Sequence, residues 1–376
     1  MNKKLKVLPV LAMGLMLVAC NGTGTSSSSK PATNDEVNFT LKVGSYVALG
    51  SNANQIEVST AAVILKGEKI VDAYFDVLQA PFKIDSTKDK KDDNKVTYTV
   101  SLDTTTNQTK QAGDKVIETK QELKERYGMA SSEETKEGEW NVQAANFAKY
   151  TVGKTIDEVT SKNYKSHYNK DGTEVVTGCS ISQKNFTTAL KVITDTKTFK
   201  APAGKVSAGL GYKVSALSTD NVLTVTLAGS ATDKDGKIYE TSINAYQIPV
   251  TVDGSSVTNP KIAIDTSKKQ ATVANFKDHT VASGENTYYT SVLSKRELKE
   301  LYAMKDKATA GEWFTQADNF AKYAKGKIAS EIAGKSYKSN HNENGTVEVP
   351  GCTITMEDFA VAIGKSATNK SGLTAK

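Results

Sequence analysis

Apolar and polar positions nearly alternate in runs such as IEVSTAAVIL from Ile56 and LTVTLAG from Leu223, both rich in Val, Ile and Thr. Alternation with β-branched residues predicts strands. The spacing then changes. TKQELKERYGM opens with Thr119 and carries Glu122 three residues on, and SKRELKELYAM pairs Ser294 with Glu297 in the same way. A hydroxyl residue followed at that distance by Glu is a capping box, so each segment predicts a helix start. In GEWNVQAANFAKY, residues Trp140, Ala144, Phe147 and Ala148 recur at helical spacing and predict one buried face. Strands followed by helices predict an α+β fold.

The opening residues follow neither pattern. Lys3, Lys4 and Lys6 precede an almost wholly apolar run from Val7 to Ala19, the charge-then-apolar layout of a secretory leader. That run is shorter than the roughly 20 residues that span a bilayer. It ends in LVAC, Leu17 to Cys20, which resembles the lipobox of bacterial lipoproteins. The resemblance implies cleavage after residue 19, a lipid thioether on Cys20, and anchoring on the extracellular face of the cell membrane. Residues 20–38 are polar and rich in Gly, Ser and Thr, the composition of a flexible tether.

Laid on itself, the chain repeats. GEWNVQAANFAKY (Gly138 to Tyr150) recurs as GEWFTQADNFAKY (Gly311 to Tyr323), an offset of 173 residues that continues from Tyr164–Phe186 to Tyr337–Phe359. Upstream, Gln79 and Pro81 align with Gln247 and Pro249. A period this long is a whole domain, since solenoid units run to roughly 20 to 50 residues. The expectation is a tandem duplication, with domains at 39–199 and 200–376 divided near the Pro- and Gly-containing stretch Lys200 to Lys205.

Charge narrows the chemistry. Three of 48 basic residues leave with the leader, so 45 face 42 acids, a net of +3 without a basic block; nucleic acid is not an expected partner. Apart from Cys20, the only cysteines are Cys179 and Cys352, one per repeat, with no zinc-type spacing. His167 aligns with Asn340 and His341 with Tyr168, so no imidazole is shared by the repeats. Nucleophile-elbow, P-loop and HExxH patterns are missing from the sequence.

One short segment carries the candidate chemistry. TGCSIS (Thr177 to Ser182) and PGCTIT (Pro350 to Thr355) each precede a helix-like run, with Ser182 and Thr355 as expected N-caps. Gly178 and Gly351 allow a tight turn, and free amides at a helix start favour phosphate. Ser180 and Thr353 would place a hydroxyl there. An ordinary turn and cap is the alternative reading.

These segments resemble the acceptor motif of flavinylated FMN-binding domains, in which a hydroxyl after a small residue is esterified to the FMN phosphate. With the lipoprotein leader, the mature chain is similar to the flavin-carrying electron-transfer lipoproteins of Gram-positive bacteria, also described as peptide-pheromone lipoproteins. The resemblance implies covalent FMN on Ser180 and Thr353, with Thr177, Gly178, Cys179, Pro350, Gly351 and Cys352 around the attachment. Where the family has Ala, this chain has Cys179 and Cys352; where it has Asp, this chain has Glu174 and Val347. The implied partners are a flavin transferase using FAD and a divalent metal, a quinol-linked membrane electron donor, and extracellular acceptors such as ferric iron. A leader peptide ending at Ala19 could also serve as a signal. Trp140, Trp313, Tyr164 and Tyr337 coincide in the repeats and are candidates either to contact the flavin or to pack in the core. The competing expectation is a flavin-free cell-surface binding or adhesion lipoprotein.

Overall fold

A computed structural model describes residues 36–50, 54–88, 96–105, 117–129, 136–253, 259–265 and 292–372. The leader, Cys20 and the expected tether up to residue 35 lie outside these residues. Among them, no helix is long and apolar enough to cross a membrane.

Two antiparallel sheets form the centre of an α+β fold. The first takes the order β4-β3-β2-β1-β5, from β1 (Glu36–Leu49), β2 (Gln55–Lys66), β3 (Lys69–Lys88), β4 (Val96–Leu102) and β5 (Ile193–Pro202). The second takes the order β6-β7-β8-β9, from β6 (Ser207–Val214), β7 (Val222–Thr232), β8 (Ile238–Asp253) and β9 (Lys261–Ile264). β1 begins at Glu36, two residues before the expected end of the tether at 38.

The strands are apolar on both faces because each face has a cover. Ile56, Val58, Ala62 and Ile64 of β2 point into a core shared with Leu210, Leu223, Val225 and Ile248 of the other sheet. The alternate residues Ala61, Val63 and Leu65 face helices instead. That two-sided burial explains the near-continuous apolar run in STAAVIL.

The three helices predicted for each repeat form in the predicted order, and each half adds one short helix that was not predicted. In the first half they are α1 (Lys120–Leu123), α2 (Trp140–Thr151), α3 (Ile156–Thr160) and α4 (Lys184–Lys191); in the second, α5 (Lys295–Leu298), α6 (Trp313–Ala324), α7 (Ala329–Ile332) and α8 (Glu357–Thr368). Both capping boxes form: Thr119 with Glu122, and Ser294 with Glu297. α2 and α4 cover the first sheet, α6 and α8 the second, so the layers run helix, sheet, sheet, helix. The closing helix of each half lies very close to its sheet. A Cβ on Gly44 would stand 1.9 Å from the Ala189 carbonyl oxygen, and one on Gly209 would stand 2.1 Å from that of Ser366.

The expected boundary after residue 199 falls inside β5, which is hydrogen-bonded to β1 along its length. From Asp35 onward the chain forms one compact unit. The two halves therefore share a core between their sheets. β5 leaves α4, completes the first sheet, and delivers the chain to β6.

Candidate functional site

The two hydroxyl segments sit on tight turns just before α4 and α8. Gly178 and Gly351 both adopt φ +73°, a conformation that glycine takes without steric cost. The space is also restricted: a Cβ would meet Asn146 Nδ2 at 2.5 Å in one half and Asn319 Nδ2 at 2.3 Å in the other. Those amides donate to the Gly178 and Gly351 carbonyls, each at 2.9 Å. Each turn is thereby tied to the long helix beside it, α2 or α6.

A buried glutamine makes the second tie. Gln143 Oε1 accepts from the backbone N–H of Ser180 at 2.8 Å and of Ile181 at 3.1 Å, and from the Ser180 hydroxyl at 3.3 Å. Gln316 Oε1 accepts from Thr353 N–H at 2.8 Å, Ile354 N–H at 3.2 Å and the Thr353 hydroxyl at 3.4 Å. Each glutamine donates in turn to the carbonyl of Gly138 or Gly311, both at 2.8 Å. The acceptor residue is held from the other side as well, because its carbonyl takes the N–H of His167 or Asn340 at 2.6 Å. A neutral carboxamide oxygen thus occupies the point where three donors converge, the arrangement that otherwise suits an oxyanion.

This corrects one expectation about the phosphate site. The amides of Ser180 and Ile181 are engaged by glutamine, and the helix N-caps are Gln183 and Met356, neither with a side-chain cap bond. Ser182 lies one residue earlier than a cap and accepts only a long bond from Lys184 N–H at 3.4 Å. Thr177, Pro350 and Gly351 are exposed, while Ser180 and Thr353 are half-buried. Beside the second turn opens a cleft of about 580 Å³ lined by Ser336, His341, Asn342, Thr355 and Glu357.

The aromatic candidates go to the core. Trp140 and Trp313 are 4% and 3% exposed, edge-on to Phe186 and Phe359 at 5.6 and 5.5 Å. Their outward faces are covered by Lys120 and Lys295, whose ammonium groups stand 5.5 and 5.4 Å from the ring centres. Tyr164 and Tyr337 are buried too, donating to the carbonyls of Val159 at 2.7 Å and Ile332 at 2.6 Å. None of the four presents a free ring face to a ligand.

Cys179 and Cys352 behave as packing residues. Burial pushes their thiols up to about 11 and about 12, so neither supplies a thiolate near neutral pH. Glu174 is held below the usual carboxylate range by the Tyr150 hydroxyl and then by Lys162 at 3.7 Å. Its counterpart Val347 can hold nothing in this way. Among the described residues, no group of His, Cys, Asp and Glu is placed to bind a metal.

Gln143 and Asn146, with Gln316 and Asn319, were not among the sequence candidates. A signal for them exists: within GEWNVQAANF and GEWFTQADNF, a polar Gln recurs one turn after Trp on the otherwise apolar face. A buried amide at the same place twice needs a partner, and the partner is the hydroxyl turn. No family model matches the chain, and neither a curated protein nor a solved structure matches it.

Proposed function

We propose that the chain is a tandem duplication of an FMN-binding-type domain, and that it works as a lipid-anchored extracellular electron carrier with FMN esterified to Ser180 and Thr353. One observation carries this reading: the same cage surrounds both hydroxyls, with matched bonds that agree within 0.1 Å although the turns read VTGCS and VPGCT. A structural cap has no need of a hydroxyl in both places, since backbone amides already satisfy the glutamine.

The residues fit the attachment end of the group. A half-buried hydroxyl that gives its hydrogen to glutamine keeps its oxygen lone pairs for bonding to phosphorus. FMN would supply the electron-transfer chemistry; the chain supplies position. On this reading a transferase using FAD and a divalent metal loads the hydroxyls, the lipid on Cys20 keeps the carrier beside a quinol-linked donor, and acceptors such as ferric iron take the electrons outside.

Co-expression of the full chain with a flavin transferase, followed by denaturing electrophoresis, tests the reading through fluorescence of the protein band. Each of Ser180→Ala and Thr353→Ala should remove about half of the signal and the pair all of it. A dark band from the wild-type chain overturns the carrier reading and leaves the flavin-free binding lipoprotein. Full signal in the double variant places the flavin elsewhere.

A further inference from the structure

The core takes Trp140, Trp313, Tyr164 and Tyr337, so none of them can be the surface against which a group on Ser180 or Thr353 rests. The loop across each turn from α2 or α6 offers another pair. The backbone N–H of His167 donates to the Ser180 carbonyl, and that of Asn340 to the Thr353 carbonyl, both at 2.6 Å. The next residue in each loop carries a ring: Tyr168 in the first half, His341 in the second. Each ring-bearing residue is thereby pinned one position beyond a bond to the acceptor's own backbone.

The two loops are built alike. Each starts from a buried serine, Ser166 or Ser339, whose hydroxyl accepts from the N–H of Asn169 or Asn342 at 3.0 and 2.9 Å. The asparagine side chain then ties the loop down, to Asn163 at 2.8 Å or Ser336 at 3.0 Å. Such side-chain bonds fix a turn without help from a helix or sheet.

The ring itself is not used by the core. Tyr168 is 71% exposed, the most exposed of the large apolar side chains among the described residues, and meets His167 edge-on at 5.1 Å. His341 is exposed too, and lines the cleft of about 580 Å³ together with Thr355, two residues after Thr353. A single exposed ring is ordinary. A ring at the same loop position in both halves is not, because its neighbours have been exchanged freely: His167 for Asn340, and Lys170 for Glu343. Elsewhere the halves diverge further, as where Arg296 pairs with Asp318 at 2.7 Å and the first half has Gln121 and Ala145.

We propose that Tyr168 and His341 are the platforms for the isoalloxazine rings, a phenol in the first half and an imidazole in the second. The inference rests on attachment at Ser180 and Thr353, and adds to it a docked position and an asymmetry between the halves. Offset stacking of two flat rings shifts the docked population by roughly two- to tenfold. A phenol in contact also quenches flavin emission, as an electron-rich neighbour; an imidazole is the poorer quencher.

The full chain co-expressed with a flavin transferase carries flavin at Ser180 alone as Thr353→Ala, and at Thr353 alone as Ser180→Ala. Fluorescence of the denatured band establishes attachment, and the native protein is then read by emission per flavin and by visible circular dichroism. On the Thr353→Ala chain, Tyr168→Ser should raise native emission about threefold and remove most of the flavin dichroism. Tyr168→Phe, which keeps a ring face without the phenol, should raise emission but retain the dichroism. On the Ser180→Ala chain, His341→Ser should reduce the dichroism, whereas Tyr168→Ser should leave it unchanged. A dark denatured band overturns attachment and platform together. A bright band overturns the platform alone if Tyr168→Ser leaves emission and dichroism of the Ser180 flavin unchanged, or if it alters the Thr353 flavin equally.

Discussion

The first and second halves hold their hydroxyl turns with the same bonds, yet they differ at Glu174 against Val347, Gln121 against Arg296, Ala145 against Asp318 and Asp76 against Asn244. The contrast separates two kinds of constraint. Where a backbone turn must present one hydroxyl, each partner is needed: a glycine at positive φ, an asparagine on its carbonyl and a buried glutamine on its amides. Where the halves meet each other or solvent, substitutions accumulate in compensating sets. Arg296 brings Asp318 with it; Gln121 brings Ala145.

The largest expected effect tests whether the halves are one cooperative body. Phe147 and Phe320 occupy the same place in α2 and α6 and are fully buried. Truncation to Ala should cost about 4 kcal/mol in either half. Because the sheets share a core, both variants should shift one common transition, read by denaturant unfolding with far-UV circular dichroism and tryptophan fluorescence together. Two transitions, each moved by only one of the variants, would show that the halves unfold separately.

A smaller effect should come from the cage. Gln143→Leu leaves the Ser180 and Ile181 amides without their acceptor, and Gln316→Leu does the same to Thr353 and Ile354. Each should lose about 3 kcal/mol, given about 1 to 3 kcal/mol for a buried donor left unmade. The losses should be alike, and each variant should lower flavin loading at its own hydroxyl only, as peptide mass spectrometry would reveal. Unequal losses would mean that one of the two turns is held by something other than its glutamine.

Much of this was legible in the sequence, and the rest was not for identifiable reasons. The strands, both capping boxes and the buried stripe of α2 follow from periodicity, because each depends on residues within a few positions of one another. The shared core escaped because a strand buried against helices and one buried against another sheet carry the same apolar run. β5 escaped because KAPAGK reads as an interruption, while its partners in β1 lie 149 to 166 residues away. The hydroxyl turn was found by motif, but the glutamine that holds it has no local signature beyond being polar on an apolar face. The cleft of about 850 Å³ beside Gln121 and Ala145 lies where the second half has Arg296 and Asp318, a difference that only comparison of the halves reveals.

The smallest of the three effects turns on Asp76, which sits where the second half has Asn244. The two side chains do the same work: Asp76 Oδ1 accepts from Val77 N–H at 2.8 Å and Gln121 N–H at 3.2 Å, and Asn244 Oδ1 accepts from Ala245 N–H at 2.8 Å and Arg296 N–H at 3.3 Å. Only Asp76 can ionise, and burial pushes its carboxyl up to about 7. With a folded value above the unfolded one, the native state holds the proton more tightly. Its stabilising contribution is complete below the ordinary carboxylate range and is lost as pH rises toward about 7. Asp76→Asn keeps both backbone bonds and removes the charge, so it should raise stability at pH 8 by about 2 kcal/mol and leave stability at pH 4 nearly unchanged. Asp72, also pushed up to about 7 by burial, stays in place. The decline in stability between pH 4 and 7 should therefore shrink by about half instead of vanishing. Urea unfolding across that range measures it, and an unchanged slope would mean that Asp76 is already ionised in the native protein, so that the first half carries a buried charge its partner does not.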